Sequence, residues 1–409
     1  MRVTLKSSVA LTLLLLIDPI AGQAVGHCNH RTWAPWSKYV AVRRNGSIVS
    51  WGGVAGVDGN VPTGTSFIGI VSNTAAFAAT RADGTIAVWG DSDYGGTGAP
   101  TGSDFARILP CPIPGCKPKI EPKLIASTHC AFAALDGHEQ NGGRIHAWGC
   151  ANKGGSGAPY GHTYTTISAT SGAFAALATS GQVKSWGELD PRDVCGAKYT
   201  RCIPAPTDSG YVAIYSNERA FTALKGDGSV RVWGYAFYAV NGGGYVQLGP
   251  DGYLDYNSFE LPTGIYTAIY AAHTAFAGLK ADGSIDAWGL YADSRSASYP
   301  PDKFRMGGET GGFPTGVTGF TNIVASQKAF AALKVDGSLA SWGDCNTGRG
   351  CSDMPTDAGY VKIYRNNLAF CAMKADGSLK VWGAIWSGGY PADVLSVGSG
   401  WVAVYSTDH

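Results

Sequence analysis

The chain has 409 residues, a formal net charge of +1 and only 15% charged residues. That length suits two average domains or one large all-β domain. The charge balance leaves no basic surplus to neutralise phosphates, which argues against nucleic acid as a partner.

The first 24 residues read as a secretory leader. Arg2 and Lys6 form a basic start, Val9 to Ile17 an apolar run too short to span a bilayer, and Gly22 and Ala24 a small-residue cleavage site. The chain is therefore expected to be secreted, with no membrane span after cleavage. Residues 25–38 form an N-terminal lead, and residues 39–409 are expected to form one domain.

Ten cysteines agree with an oxidising compartment. Cys111/Cys116, Cys195/Cys202 and Cys345/Cys351 are close pairs, expected as disulfides that brace loops following a Trp-Gly pair. Zinc is the rival reading, but none of the pairs has the spacing of a metal knuckle, and no histidine pair accompanies them.

From Tyr39 onward one phrase recurs eight times, as in AFAALKVDGSLASWG at Ala329 to Gly343. It places Trp51, Trp89, Trp148, Trp186, Trp233, Trp288, Trp342 and Trp382 in register, at intervals of 38 to 59 residues. A period in that range indicates a propeller, solenoid or array. Asp83-Gly84, Asp227-Gly228, Asp282-Gly283, Asp336-Gly337 and Asp376-Gly377 supply hairpin turns. Asn45-Gly46 and Ser180-Gly181 replace them in two other units. The strand before the turn is apolar on both faces and mostly small, as expected for a strand buried on both sides.

A shorter phrase, such as YVAIYSN from Tyr211, precedes most hairpins and supplies a first strand. The first unit lacks one, whereas WVAVYS at the C-terminus is a first strand without a hairpin. That offset predicts an all-β ring in which the terminal strand completes the first blade. The expected fold is a closed β-propeller of eight blades, or alternatively seven, each with three to four strands. Closure removes exposed strand edges.

The third hairpin places Cys130 opposite Cys150, predicting a cross-strand disulfide. Cys28 and Cys371 fall in units that a ring would bring together, so a Cys28–Cys371 bond is also expected.

The hairpin and its Trp-Gly ending resemble the regulator of chromosome condensation repeat family, over about Tyr39 to Ser406. The short 38-residue spacing is more similar to the secreted bacterial β-lactamase-inhibitor propellers of that superfamily. The resemblance implies a propeller, usually of seven blades. Activities among such proteins include nucleotide exchange on a nuclear GTPase, ultraviolet reception and protein inhibition, so it implies fold more firmly than role. Nuclear exchange conflicts with the leader, and the eight repeat tryptophans read as packing residues.

Catalytic chemistry should break the repeat. His27 and His30 have no matching ligands, and His129, His138, His146 and His162 crowd the third and fourth units. DSDYGG from Asp91 lacks most oxygen ligands of a calcium loop. Neither a nucleophile elbow nor a phosphate loop is present. The expectation is a non-enzyme without metal or cofactor. It should bind another protein through its variable loops, with Tyr94, Tyr235, Phe237, Tyr238, Tyr291, Trp386 and Tyr390 as candidate contacts. The alternative is a lectin-like carbohydrate binder. The loops after Trp-Gly differ between units, whereas lectin repeats keep their sugar contacts, and this favours a protein partner. Asn45 opens a glycosylation sequon in the first turn.

Overall fold

The computed structural model describes residues 38–43, 45–52, 61–109, 119–122, 124–136, 142–161, 163–188, 202–235, 262–289, 313–343, 354–383, 399–401 and 404. All eight hairpins form. The first is two-stranded, Lys38–Val42 with Ile48–Gly52. The other seven belong to antiparallel sheets ordered first strand, middle strand, Trp strand. One sheet, for example, is Phe320–Ala325, Ala329–Lys334 and Leu339–Gly343. The fifth unit adds a fourth strand, Cys202–Ile203, outside its Trp strand. This is the all-β blade architecture that the repeat predicts.

Register explains the phrase. In each three-stranded sheet the middle-strand phenylalanine lies opposite the tryptophan, as Phe174↔Trp186 and Phe330↔Trp342. The two rings stack, with centroids 5.1 Å apart in the second and fourth units and 5.3 Å apart in the seventh. Such a pair adds about 0.5–1.5 kcal/mol beyond its burial. Middle-strand residues such as Ala331, Ala332 and Phe330 are wholly buried because a neighbouring sheet covers each face. The hydrophobic clusters accordingly run between consecutive sheets; one joins Leu279 and Ile285 to Phe320, Ile323 and Trp342.

The indole N–H groups reach back to the preceding unit. Trp148 and Trp186 donate to the carbonyls of Gly95 and Gly154, at 3.2 and 3.0 Å. Each of these glycines ends a short 3₁₀ turn with positive φ, and an added Cβ would meet the next sheet's Phe–Trp rings. Trp233, Trp288 and Trp382 instead donate to the hydroxyls of Ser185, Thr222 and Ser341. Trp342 is buried with no acceptor for its indole N–H, since the sixth unit has Ala277 opposite Ala287 at the equivalent cross-strand pair.

Six first strands carry the same bulge after their initial aromatic residue, as at Tyr266/Ala268. Where the extra residue is Thr165, Thr267 or Thr321, its hydroxyl donates to the partner-strand carbonyl that the bulge bypasses. The third unit departs from the pattern. Phe105 takes the initial aromatic position, then a second hairpin, Ala106–Leu109 with Lys119–Pro122, precedes Ile125–Ser127. The segment containing Cys111 and Cys116 therefore interrupts a first strand rather than following a Trp-Gly directly. Both cysteines lie outside the described residues, as do Cys195, Cys345 and Cys351.

Cys130 and Cys150 are disulfide-bonded, with Cα atoms 5.6 Å apart, as the register requires. The expected Cys28–Cys371 bond is corrected: Cys371 carries a free thiol. It is half-buried in the middle strand of the last unit, where counterparts such as Ala277 and Ala331 are wholly covered. Cys28 lies outside the described residues.

The C-terminal segment meets the last turn where a next first strand would begin. Trp401 donates its N–H to the Gly377 carbonyl, just as Tyr360 does to Gly337 and Phe320 to Gly283. The remainder of the expected closing strand, apart from Val404, lies outside the described residues.

Candidate functional site

The two rims of the blades differ in chemistry. On one rim lie the turns joining first to middle strands. Their central residues are Thr74, His129, Ser171, Glu218, His273, Gln327 and Asn367. Each of the first six donates its backbone N–H to the carbonyl of the next residue in that series, at 2.8–3.4 Å. Six bonds thus form a backbone relay across seven units. The turns are fixed by a preceding Asn, Thr or Ser: Asn73, Thr128, Thr170, Asn217, Ser326 and Asn366 accept the N–H three residues on. Polar side chains extend the relay, with His129 Nδ1 3.0 Å from Thr74 Oγ1 and His273 Nε2 3.0 Å from Glu218 Oε2. These residues keep backbone register while presenting variable polar groups. Sequence reading missed this rim because backbone groups make the relay, and both the central residue and the one after it change from unit to unit.

The Asp-Gly turns form the opposite rim. The glycine carbonyl of one turn accepts the N–H of the next unit's initial aromatic residue, as Phe67 to Gly46 and Tyr266 to Gly228. The aspartates are held below the usual carboxylate range: at Asp227 and Asp336 first by the hydroxyl and then by the N–H of the serine two residues on, at Asp282 and Asp376 by the same groups in the reverse order. Lys225 and Lys374 cap Tyr211 and Tyr360 and bond Asp208 and Asp357 at 2.7 and 2.6 Å. Burial, then the hydrogen bond to the aspartate, raises each of these tyrosines.

The third unit reverses this charge pattern. Asp136 stands where its counterparts are Lys225 or Lys280, and it meets His146 Nε2 at 2.7 Å and Arg144 Nε at 3.3 Å. Burial pushes the Asp136 carboxyl up, but hydrogen bonds from the His146 side chain and Arg144 backbone outweigh it and hold the group low. His146 also packs edge-on against Phe105. His129 and His146 thus serve separate contacts on opposite rims; His27, His30, His138 and His162 lie outside the described residues.

Asp91 caps a 3₁₀ turn by accepting the Asp93 N–H at 2.9 Å. Among the described residues no three His, Cys, Asp or Glu side chains cluster as metal ligands.

Of the candidate loop aromatics, Tyr94 and Tyr235 fall in the described part. Tyr94 is half-buried, joins an apolar cluster and lies against His129; its carbonyl accepts from Asn73 Nδ2 at 2.7 Å. Tyr235 ends the fifth Trp strand opposite Cys202 and is half-buried. Phe237, Tyr238, Tyr291, Trp386 and Tyr390 lie outside the described residues. Each loop starts at the relay rim, where the Trp strand ends beside the turn, as Asp91 N–H to Ala75 carbonyl shows.

The exposed apolar side chains that sequence reading missed gather on the Asp-Gly rim. Val212 is 59%, Ile265 58%, Val335 82%, Val361 53% and Trp401 46% exposed. Val335 is in a turn, Val212 and Val361 are bulge residues, and Ile265 lies beside Gly228. Tyr160, in the loop entering the fourth unit, is fully exposed.

No family model and no curated protein matches the chain. Solved structures similar to it include the Physcomitrella patens receptor kinase CR4 ectodomain, 15% identical over 63% of this chain and 62% of that one, TM-score 0.38. Human WBSCR16 is 14% identical over 68% and 83%, TM-score 0.40. Prp20p from Saccharomyces cerevisiae is 17% identical over 63% and 71%, TM-score 0.35. Similarities this slight assign no role.

Proposed function

We propose that the chain is a secreted, non-enzymatic β-propeller that binds another protein. The observation that carries this reading is the arc of exposed apolar side chains on the Asp-Gly rim, Val212, Ile265, Val335, Val361 and Trp401. The fold leaves these side chains largely in solvent, and solvent-exposed apolar groups collected on one rim mark an interaction surface. Loops that change from unit to unit while the hairpins stay constant would supply selectivity along the same rim. The leader-like N-terminus supports a partner outside the cell. The resemblance to the regulator of chromosome condensation repeats supports the propeller and is compatible with protein binding.

The test is capture from the native extracellular setting with residues 25–409, compared with a Val335→Asp/Val361→Asp variant. A dominant protein captured by the wild type and lost with the variant is expected. Capture retained by the variant moves the contact off this rim. Glycan-array binding without a protein partner supports the lectin-like alternative instead.

A further inference from the structure

We infer that Asn45 is an N-glycan acceptor, an inference that rests on the secreted reading above. Asn45 occupies the place held by Asp83, Asp227, Asp282, Asp336 and Asp376 in other turns. There the carboxylate accepts the N–H of the residue two positions on, at 2.8–2.9 Å, as from Thr85, Ser229, Ser284, Ser338 and Ser378. Asn45 does the same through Oδ1 alone, which accepts the Ser47 N–H at 3.0 Å and the Ser47 hydroxyl at 2.8 Å. The turn therefore needs an oxygen, and the amide nitrogen is surplus to it. An aspartate would also attract the cation two residues earlier, as Asp227 and Asp336 do Lys225 and Lys334. Arg43 stands at that place in the first unit, so asparagine forgoes a favourable charge contact.

What asparagine provides instead is the acceptor sequence Asn45-Gly46-Ser47, the single Asn-X-Ser/Thr in the chain. Asn45 is exposed, and no bond to its Nδ2 is formed among the described residues. Hydrogen bonds donated to Oδ1 make the amide N–H more acidic, and the hydroxyl that the sequon requires already sits against that oxygen. The Gly46 N–H, which would attack the side-chain carbonyl in deamidation, is instead held by the Arg43 carbonyl at 2.8 Å. The competing loss of ammonia is thus restrained.

The reaction needs a lipid-diphosphate-linked oligosaccharide and its transferase. The Nδ2–C1 bond forms as the C1–O bond to the diphosphate breaks. The leaving diphosphate takes the electron pair, and a transferase base takes the Nδ2 proton.

The experiment expresses the full chain in a eukaryotic secretory host. A parallel version carries a host leader in place of residues 1–24, so a failed native leader and a failed site are distinguishable. The secreted chain is expected to shift on peptide N-glycosidase F treatment, with the mark mapped to Asn45. Asn45→Asp, which keeps the turn oxygen, and Ser47→Ala should both be secreted without a shift. Secretion of the host-leader chain with Asn45 unmodified, or converted to aspartate without ever bearing a glycan, overturns the inference.

Discussion

The indole of Trp342 offers a quantitative test of how one unit completes the next. Its N–H is buried without an acceptor, whereas Trp233 and Trp382 donate to Ser185 and Ser341 at 3.0 and 3.3 Å. Those serines precede the tryptophan of the unit before, and the sixth unit has Ala287 at that position. Ala287 is wholly buried opposite Ala277, and the same cross-strand site holds a serine opposite Ala175 and Ala331. Ala287→Ser should therefore fit and supply the missing acceptor. A new buried hydrogen bond is worth about 1 kcal/mol, and leaving a buried donor unpaired costs about 1–3 kcal/mol. Ala287→Ser should stabilise by about 1 kcal/mol, and Ser185→Ala, which orphans Trp233, should destabilise by about 1–3 kcal/mol. Urea unfolding followed by tryptophan fluorescence reads both. Repeating Ala287→Ser in a Trp342→Phe background should abolish the gain. An equal gain in that background, or a loss in the wild type, would refute the unit-to-unit account of the indoles.

Other outcomes follow from neighbouring contacts. Removing the Cys130–Cys150 bond by Cys150→Ser opens a loop with a sequence separation of 20 and should lower stability by about 3 kcal/mol, read by urea unfolding under non-reducing conditions. Thr267→Val leaves the Leu279 carbonyl without the hydroxyl at its bulge and should cost about 1 kcal/mol, whereas Val212→Thr at the matching bulge should be neutral or better. Because the Asp136 carboxyl is held low in the fold, its stabilising contribution is present above the ordinary carboxylate range. It should be lost as pH falls through the depressed folded value. Asp136→Asn should flatten that acid limb in a pH series of melting temperatures.

The hairpins, their Asp-Gly turns, the repeat tryptophans and the Cys130–Cys150 bridge are legible in the sequence because local chemistry dictates them. A positive-φ turn demands glycine, and in the third hairpin the pairing of Leu135 with Ile145 fixes Cys130 opposite Cys150. The Phe174–Trp186 stack is less legible, since either ring alone reads as generic core. The relay from Thr74 to Asn367 is hidden because backbone groups make it and the residue type is free. Phe105 is hidden because the hairpin inserted after it separates it from Ile125 in sequence while leaving it docked on Gly84. Cys371 is the exception: neighbouring units predict a partner in Cys28, yet its thiol is free.

The central claim is that each unit covers the next until the C-terminal strand and first hairpin cover the last. Cys371 reports on that seam. The matching positions Thr222 and Ala277 are covered by the following sheet, and Thr222 meets its tryptophan. Tyr215 and Tyr270 bond the next sheet's backbone at Ile269 and Ile323, whereas Tyr364 reaches Met373 in its own sheet. Burial pushes the Cys371 thiol up to about 11, so at pH 8 it is protonated and a poor nucleophile while covered. The decisive measurement is the rate of Cys371 alkylation at pH 8 in the folded chain and in one lacking residues 399–409. Slow labelling in the first and a large acceleration in the second, with both chains folded by circular dichroism, is the predicted result. Equal rates would contradict closure of the ring by the C-terminal strand.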